Sequence, residues 1–222
     1  VGSEMCIRDR VYITPNAGRK AFFKDFIVVQ MLKSMGCKVI AHYHNKGVSV
    51  YQSKWVYNFF YKRFFSNLKV ILLAENLYKD MAKYVKREDV YICPNGIPSS
   101  CKEEMEARRN NVIPHLLFLS NLLISKGVIV LLDALRILKE KGYLFNCQYV
   151  GGETAEINAM QFVVEVERRK LNDRVAYAGR KVGEEKNTFF QQADIFILPT
   201  MNECFPLVIL EAMEYKLSLI HI

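Results

Sequence analysis

Short apolar runs alternate along the chain with longer stretches in which apolar residues recur at helical spacing. Runs of this kind, bounded by turn-forming residues, are typical of strands buried in a parallel sheet, and the amphipathic stretches predict the helices that connect such strands. Strands are predicted at 11–14, 38–42, 69–73, 90–93, 115–120, 145–150, 174–178 and 195–198. Helices are predicted at 21–35, 51–65, 76–85, 127–141, 156–171, 184–192 and 206–215.

The helix predicted at 127–141 has the most regular pattern of the set. Its apolar residues share one side, whereas Arg136, Lys139 and Lys141 fall elsewhere, so we expect the apolar side to pack on a sheet. The repeated strand–helix order predicts an α/β protein with parallel sheets and helices on both faces. The apolar residues of this side are Val128, Leu131, Leu132, Leu135 and Leu138.

A break near the middle of the chain predicts two domains. The turn-forming segment 94–98, Pro-Asn-Gly-Ile-Pro, interrupts both periodicities, and a charged segment at 102–111 follows it. The two halves share the same rhythm of strands and helices, as two Rossmann-like units do. We therefore predict a first domain over 11–100 and a second over 101–216.

The two ends of the chain read as translated sequencing adapter. Residues 1–10, VGSEMCIRDR, are what a transposon adapter encodes in one frame, and residues 217–222, LSLIHI, are encoded by the reverse complement of its shared part. Segments of such origin are excluded from reasoning about the fold. We therefore expect residues 11–216 to be an internal stretch of a longer protein, truncated at both ends.

Charge is distributed unevenly along the chain. The first 110 residues hold 19 Lys and Arg against 10 Asp and Glu, whereas the rest hold 12 against 13. The first half is therefore a candidate for contact with an anionic surface. No apolar run approaches the roughly 20 residues that a membrane-spanning helix needs. The five cysteines outside the predicted adapter lack metal-binding spacing, which is typical of a protein of the reducing cytosol.

The richest motif lies in the last predicted strand, loop and helix. The strand ends at Pro199, a short loop carries Glu203, and the helix opens at Pro206, which a helix start tolerates because its first N–H groups lack intrahelical partners. A helix N-terminus at the carboxyl end of a parallel strand favours a bound diphosphate. Glu203 would flank that ligand, and Glu211, further along the helix, would contact a more distant polar part of it.

This pair of glutamates, eight positions apart in a strand–loop–helix context, resembles the donor site of glycosyltransferase family four, whose members have the GT-B fold. The resemblance implies that Glu203 contacts hydroxyl groups of the transferred sugar and that Glu211 binds the ribose of the nucleotide. Backbone amides just after Glu203 would contact the sugar and the phosphates. The residues that supply them are Phe205, Leu207 and Val208.

A second segment that carries the resemblance is FLSNLLISKG, which joins a predicted strand to the helix at 127–141. The resemblance gives Lys126 the task of neutralising charge on the departing diphosphate. Many family members have an arginine where this chain has Asn121, so phosphate binding has one cation fewer or uses the asparagine as a hydrogen-bonding substitute. A later glycine turn would lie against the nucleotide base; a plain turn is the alternative. The residues of this turn are Gly179, Arg180, Lys181 and Val182.

In the first domain, the segment His42-Tyr-His44 closes a predicted strand. The resemblance implies that His44 lies beside the donor sugar in the cleft between the domains, whereas we expect His42 to be a packing residue. The implied catalytic residues are thus His44, Lys126 and Glu203. The sequence has no Asp-x-Asp motif and no cluster of His, Asp and Glu at ligand spacing, so we expect neither a metal ion nor another cofactor.

Residues 51–69 interleave aromatic side chains with Lys54, Lys62 and Arg63. This mixture suits a helix at lipid headgroups, and it would fit a lipid-linked acceptor at the inner face of the cytoplasmic membrane. A core helix with a solvated basic face is the other interpretation. Basic patches also bind nucleic acid, but without a recognisable binding motif no nucleic-acid partner is expected.

The reaction that the resemblance implies is a retaining, metal-independent transfer of a sugar from a UDP- or GDP-sugar to a hydroxyl of a glycan or a lipid-linked acceptor. Catalysis would rest on orientation and on charge stabilisation of the leaving nucleoside diphosphate. The commonest use of such enzymes is the synthesis of cell-surface polysaccharide or glycolipid. Three alternatives stay open: a non-catalytic relative that binds a nucleotide-sugar, a sugar epimerase of the same architecture, and an inactive fragment.

Overall fold

The computed structural model describes residues 10–98, 112–201 and 203–221. The chain divides into two compact units, with the division between Asn95 and Gly96. The charged segment predicted at 102–111 and residues 1–9 and 222 of the predicted adapter lie outside the described residues.

The first unit contains four strands and three α-helices. The strands are β1 (Arg10–Ile13), β2 (Lys38–Tyr43), β3 (Lys69–Leu72) and β4 (Val90–Ile92), and the α-helices are α1 (Arg19–Ser34), α2 (Val48–Tyr51) and α3 (Trp55–Phe65), counted over the described residues. The strands form a parallel sheet in the order β1-β2-β3-β4. Ala41 of β2 pairs with Ile13 of β1 on one side and with Val70 of β3 on the other.

The second unit contains five strands and four α-helices among its described residues. The strands are β5 (His115–Leu119), β6 (Asn146–Val150), β7 (Val175–Tyr177), β8 (Ile195–Leu198) and β9 (Ser218–His221), and the helices are α4 (Val128–Glu140), α5 (Ala159–Arg168), α6 (Gly183–Gln192) and α7 (Leu207–Glu214). The strands form a parallel sheet in the order β7-β6-β5-β8-β9. Counted within the unit this order is 3-2-1-4-5, which is the Rossmann arrangement, and the winding direction of the chain reverses between β5 and β8.

The eight strands predicted from the sequence are present, and so are six of the seven predicted helices, within a few residues of the predicted bounds. The helix predicted at 76–85 is wrong. Its first part forms a 3-10 helix over Glu75–Asp80, and turns follow. The Asp80 carboxylate accepts hydrogen bonds from the backbone N–H groups of Gly47, Val48 and Ser49, so a tertiary contact at the start of α2 holds this segment in place of a continuous helix.

The described core of the first unit lies on one face of its sheet. Val39, Ala41 and Tyr43 of β2 pack in one cluster with side chains of α1 and α3, whereas Ile40 and Ile71, which point to the other face, are not part of it. The prediction of helices on both faces is therefore wrong for the described part of this unit. In the second unit, three consecutive β5 residues, Leu116, Leu117 and Phe118, are buried, as in strands covered on both faces. None of the helices in the described ranges is both long and apolar enough to cross a membrane.

Strand β9 lies inside residues 217–222, the segment predicted to be adapter-encoded. It pairs in parallel with β8, from Ser218 opposite Ile195 to His221 opposite Leu198, and its four residues are exposed. A sheet edge offers unpaired N–H and C=O groups to any short segment with a preference for extended structure. The pairing therefore suits either origin, and the adapter origin stays a prediction.

Lys33, near the end of α1, holds the end of α3. Its Nζ atom donates hydrogen bonds to the carbonyl oxygens of Arg63, Phe64 and Ser66 at 3.2, 2.7 and 2.6 Å. Carbonyl groups in the last turn of a helix lack intrahelical partners, and the helix dipole favours a cation beside them. Lys33 therefore caps α3 from a neighbouring helix.

We expect Lys33→Met to lower the free energy of unfolding by about 1–2 kcal/mol, because the last carbonyl groups of α3 lose their charged donor. Urea unfolding measures the change. Lys24→Met, which alters an exposed lysine of the same helix, is the control and should change stability by no more than about 0.5 kcal/mol. Equal losses in the two variants would contradict the capping role.

Candidate functional site

The candidate site lies at the carboxyl ends of β5 and β8 in the second unit. The loop after β5 carries Lys126, and the loop after β8 carries Glu203. The two strands are neighbours, with Leu116 paired to Ile195, and the strand order reverses between them. Open parallel sheets bind ligands in the crevice outside such a reversal. The strand order therefore brings together two residues that the sequence places only at separate strand ends.

Lys126 and Glu203 form an ion pair in which Nζ of the lysine donates to Oε1 of the glutamate. The two side chains are only 27% and 17% exposed, so water screens their attraction less than at an open surface. An anionic ligand that enters this site would compete with Glu203 for the ammonium group.

Thr200, which the sequence analysis missed, ties the two loops together. Its buried hydroxyl lies 3.1 Å from Oε1 of Glu203 and 3.3 Å from the carbonyl oxygen of Ser125, and its single O–H donates to one of them at a time. The backbone N–H of Met201 also donates to the Ser125 carbonyl, at 3.0 Å. Hydrogen bonds of Thr200 and Met201 thus connect the loop of Lys126 to the loop of Glu203, close to both residues. A polar residue directly after a buried strand was the only signal of this role in the sequence.

Gly127 allows the closest approach between the same two loops. It has a positive φ of 81°, and a Cβ atom at this position would lie 2.0 Å from the carbonyl oxygen of Pro199. Only glycine fits both the backbone conformation and the distance. Gly127 therefore sets the separation between the loop of Lys126 and the loop of Glu203.

Asn121 links the loop after β5 to the loop after β6. Its Oδ1 atom accepts the backbone N–H of Gly152 at 3.0 Å, and the Gly152 carbonyl accepts the N–H of Leu122 at 2.9 Å. The side-chain oxygen is thus engaged within the protein. Its Nδ2 group donates to no described residue, so the amide N–H₂ is the part of Asn121 left for a ligand.

The glycine turn after β7 lies beside the glycine turn after β6. The Gly179 carbonyl accepts the N–H of Gly151 at 2.9 Å, and Gly179 has a positive φ of 72°. Lys181 pairs with Glu185 at 3.2 Å, whereas exposed Arg180 makes no hydrogen bond or ion pair with the described residues. Val182 is also exposed. This turn therefore lies at the same edge of the sheet as the loops after β5, β6 and β8.

The helix α7 begins at Leu207, and its N-cap residue, Pro206, makes no side-chain capping bond. The first N–H groups of a helix have no intrahelical acceptor, so the amides near Phe205, Leu207 and Val208 are in position for an anion. Glu211, further along α7, accepts a hydrogen bond from Lys186 of α6, with 2.7 Å between Nζ and Oε1. The sequence analysis missed Lys186, because nothing in the local pattern connects α6 with α7.

His44 lies in the first unit, whereas the other implied catalytic residues belong to the second. His44 is exposed, and its ring centroid lies 4.2 Å from that of buried His42.

Nδ1 of His42 is 2.5 Å from the Tyr12 hydroxyl, and the buried Nε2 of His42 has no partner among the described residues. Burial and the neighbouring His44 lower the pKa of His42. Asn45 fixes the following loop by accepting the N–H of Ala17.

Within residues 10–98, 112–201 and 203–221, no group of three or more His, Cys, Asp or Glu side chains is arranged to hold a metal ion. The Lys126 ammonium and the N-terminal amides of α7 are among the positive groups described at the candidate site.

Comparison with known proteins identifies relatives of the chain. A family model described as glycosyl transferases group 1 matches residues 109–222. The amylovoran biosynthesis glycosyltransferase AmsK of Erwinia amylovora is 24% identical over 225 residues, which cover 92% of this chain and 54% of that protein.

Solved structures share the fold. Sucrose-phosphate synthase from Thermosynechococcus elongatus superposes with a TM-score of 0.70 at 18% identity, over 96% of this chain and 55% of that one. HepE of Anabaena, in complex with UDP and glucose, superposes with a TM-score of 0.67 at 16% identity, over 95% of this chain and 58% of that one. The chain thus spans about half the length of these relatives, and the predicted α/β fold class is confirmed.

We expect Gly127→Ala to cost about 3 kcal/mol of stability or more, because a methyl group would collide with the Pro199 carbonyl as well as strain the backbone. Gly142→Ala is the matched control. Gly142 has a φ of 82° but open space around its Cβ position. The Gly142→Ala variant should therefore lose only about 1–2 kcal/mol of stability, which is the cost of a left-handed backbone conformation for a residue with a Cβ atom. Urea unfolding measures both, and similar losses would show that the approach to Pro199 does not constrain the site.

Proposed function

The chain belongs to the glycosyl transferases group 1 family, and on that premise we propose that the protein containing it transfers a sugar from a nucleotide-sugar donor to an acceptor hydroxyl, with retention of anomeric configuration. The observation that carries the proposal is the Lys126–Glu203 pair at the reversal of strand order, with Glu203 in the loop that leads into the N-terminus of α7. An ammonium group and free helix N–H groups favour a diphosphate.

Lys126 would exchange its partner when the donor binds. Its ammonium turns from Glu203 to the diphosphate and stabilises the charge that develops as the sugar departs. Glu203, released from the lysine, accepts hydrogen bonds from hydroxyl groups of the sugar. Thr200 keeps the carboxylate in place during this exchange, because its hydroxyl already lies 3.1 Å from Oε1. Charge stabilisation would then come from Lys126 and α7, without a metal ion.

The remaining loops surround the other parts of the donor in this proposal. Glu211 binds the ribose, the amides of Phe205, Leu207 and Val208 bind the phosphates and sugar, and the Nδ2 group of Asn121 donates to phosphate. The turn Gly179–Val182, with Arg180 and Lys181, lies against the base, and His44 lies beside the sugar. The complex of HepE with UDP and glucose supports a nucleotide donor, and the name of AmsK supports a role in polysaccharide synthesis.

We expect the length-restored protein, with native sequence in place of the predicted adapter segments, to bind a UDP- or GDP-sugar in the presence of EDTA. Lys126→Ala and Glu211→Ala should each weaken binding about 10- to 100-fold, because each removes a charged hydrogen-bonding group. Isothermal titration measures the affinities. Arg136→Ala is the control, since Arg136 pairs with Glu140 on the surface of α4.

Four outcomes would redirect the proposal. Absence of binding to any nucleotide-sugar would reject the donor site. Binding without transfer to glycan or lipid-linked acceptors would favour a non-catalytic relative, and interconversion of the free sugar would favour an epimerase. Binding that EDTA abolishes would reject metal independence.

We further propose that α3 contacts an anionic membrane surface. Trp55 and Phe59 are 81% and 61% exposed, and Lys62, three positions after Phe59, continues the same side of the helix. The opposite side carries Tyr61, Phe64 and Phe65 into the core. The helix therefore fits both interpretations of the sequence, because one side is core and the other presents aromatic and basic groups, as interfacial helices do.

We expect the length-restored protein to sediment with vesicles of phosphatidylcholine and phosphatidylglycerol more strongly than with phosphatidylcholine alone, and less strongly at high salt. The double variant Trp55→Ala/Phe59→Ala should reduce partitioning about tenfold, because it removes the two exposed aromatic side chains that would become buried in the lipid surface. Tyr143→Ala, which alters a similarly exposed aromatic residue of the second unit, is the control. Equal partitioning of all three proteins would reject this membrane contact.

A further inference from the structure

Lys186 and Glu211 form a second ion pair in the second unit, between α6 and α7. Nζ of Lys186 lies 2.7 Å from Oε1 of Glu211, and the two side chains are 24% and 25% exposed. An exposed pair of flexible side chains would have many alternative arrangements, but this pair is three-quarters covered. The position of the Glu211 carboxylate is therefore tied to that of the Lys186 ammonium.

Aromatic packing fixes the helix from which Lys186 reaches across. Phe190, one turn further along α6, stacks on Tyr215 at the end of α7, with 5.1 Å between ring centroids and 8° between ring planes. Phe190 is buried, and the Lys186 Nζ atom lies 6.0 Å from its ring centroid. The ammonium thus sits between an aromatic face and a carboxylate, which together restrict where it points.

The pair leaves part of the Glu211 carboxylate available. Oε1 accepts from Lys186, whereas Oε2 accepts no hydrogen bond from the described residues. An ionised carboxylate has about four lone-pair sites, so one bond to the lysine leaves acceptors for two neighbouring hydroxyl groups. A vicinal diol such as that of ribose presents two such hydroxyl groups at once.

We propose that Lys186 is a positioning residue that orients Glu211 toward the 2′- and 3′-hydroxyl groups of the donor ribose, and that it thereby sets the preference of the site for ribonucleotides. This inference rests on the ribose role of Glu211 in the proposed function. Without Lys186, a partly covered carboxylate would lack its cation and would turn toward water, away from the direction that the diol requires.

The test compares nucleotides that differ only at the 2′ position. Isothermal titration of the length-restored protein with UDP and 2′-deoxy-UDP, and with GDP and 2′-deoxy-GDP, gives the ratio of ribo to deoxy affinity. We expect a ratio of about ten or more for the unaltered protein, as for one charged hydrogen bond. Lys186→Met should reduce the ratio to about one to three, and Lys186→Arg should restore much of it. Thermal unfolding of each variant reports whether the fold is kept.

Lys139→Met is the control, because Lys139 forms an ion pair with Asp173 elsewhere in the same unit. It should leave the ratio unchanged. A Lys186→Met protein that binds both nucleotides more weakly but keeps the ratio would overturn the proposal, since the pair would then only stabilise α6 against α7.

Glu211→Ala separates this inference from the proposed function. If Glu211→Ala removes the preference and Lys186→Met does not, the positioning role fails while the ribose role of Glu211 stands. If neither change alters the ratio, or if the unaltered protein shows no preference or no binding, the ribose role fails and the inference fails with it.

Discussion

The close approach of Gly127 to the Pro199 carbonyl is the constraint on which the candidate site depends. Ser125 and Thr200 are 75 positions apart in the sequence, yet they meet because β5 and β8 are adjacent and their following loops touch. A side chain at position 127 would hold these loops apart. With glycine there, the Ser125 carbonyl accepts the Met201 N–H and lies within hydrogen-bond distance of the Thr200 hydroxyl, and Lys126 reaches Glu203.

The two glutamates of the candidate site are each paired with a lysine. Glu203 is neutralised by Lys126 and Glu211 by Lys186, so each carboxylate proposed to bind donor hydroxyl groups has its own ammonium partner. The two pairs differ in what a ligand would do to them. In the proposed function, a diphosphate would compete for Lys126 and separate the first pair, whereas a ribose would add to Glu211 and leave the second intact. The first pair would then respond to the leaving group, and the second would hold the nucleoside in place.

The limits of sequence reasoning are clearest where a side chain serves a distant element. The periodicity at 76–85 predicts a helix, but Asp80 of that segment caps α2, more than 30 positions earlier, and only a 3-10 helix forms. Helices on both faces were expected from the strand–helix rhythm, yet the described core of the first unit uses one face of its sheet. Rhythm along a chain reports which residues face inward; it does not report which side of the sheet each connection crosses.

The amino-acid sequence by itself determined the α/β class, eight of the nine described strands, most of the helices, and the placement of Lys126 and Glu203 after strand ends. These features follow from the alternation of apolar and polar residues, from glycine turns and from helix starts, which are local properties of the chain. The tertiary structure alone decided the 3-2-1-4-5 strand order that joins those loops, the internal use of the Asn121 oxygen, and the partners Thr200 and Lys186. The physical reason is range: a hydrogen bond or ion pair between remote segments depends on how whole elements pack, and no local pattern records it.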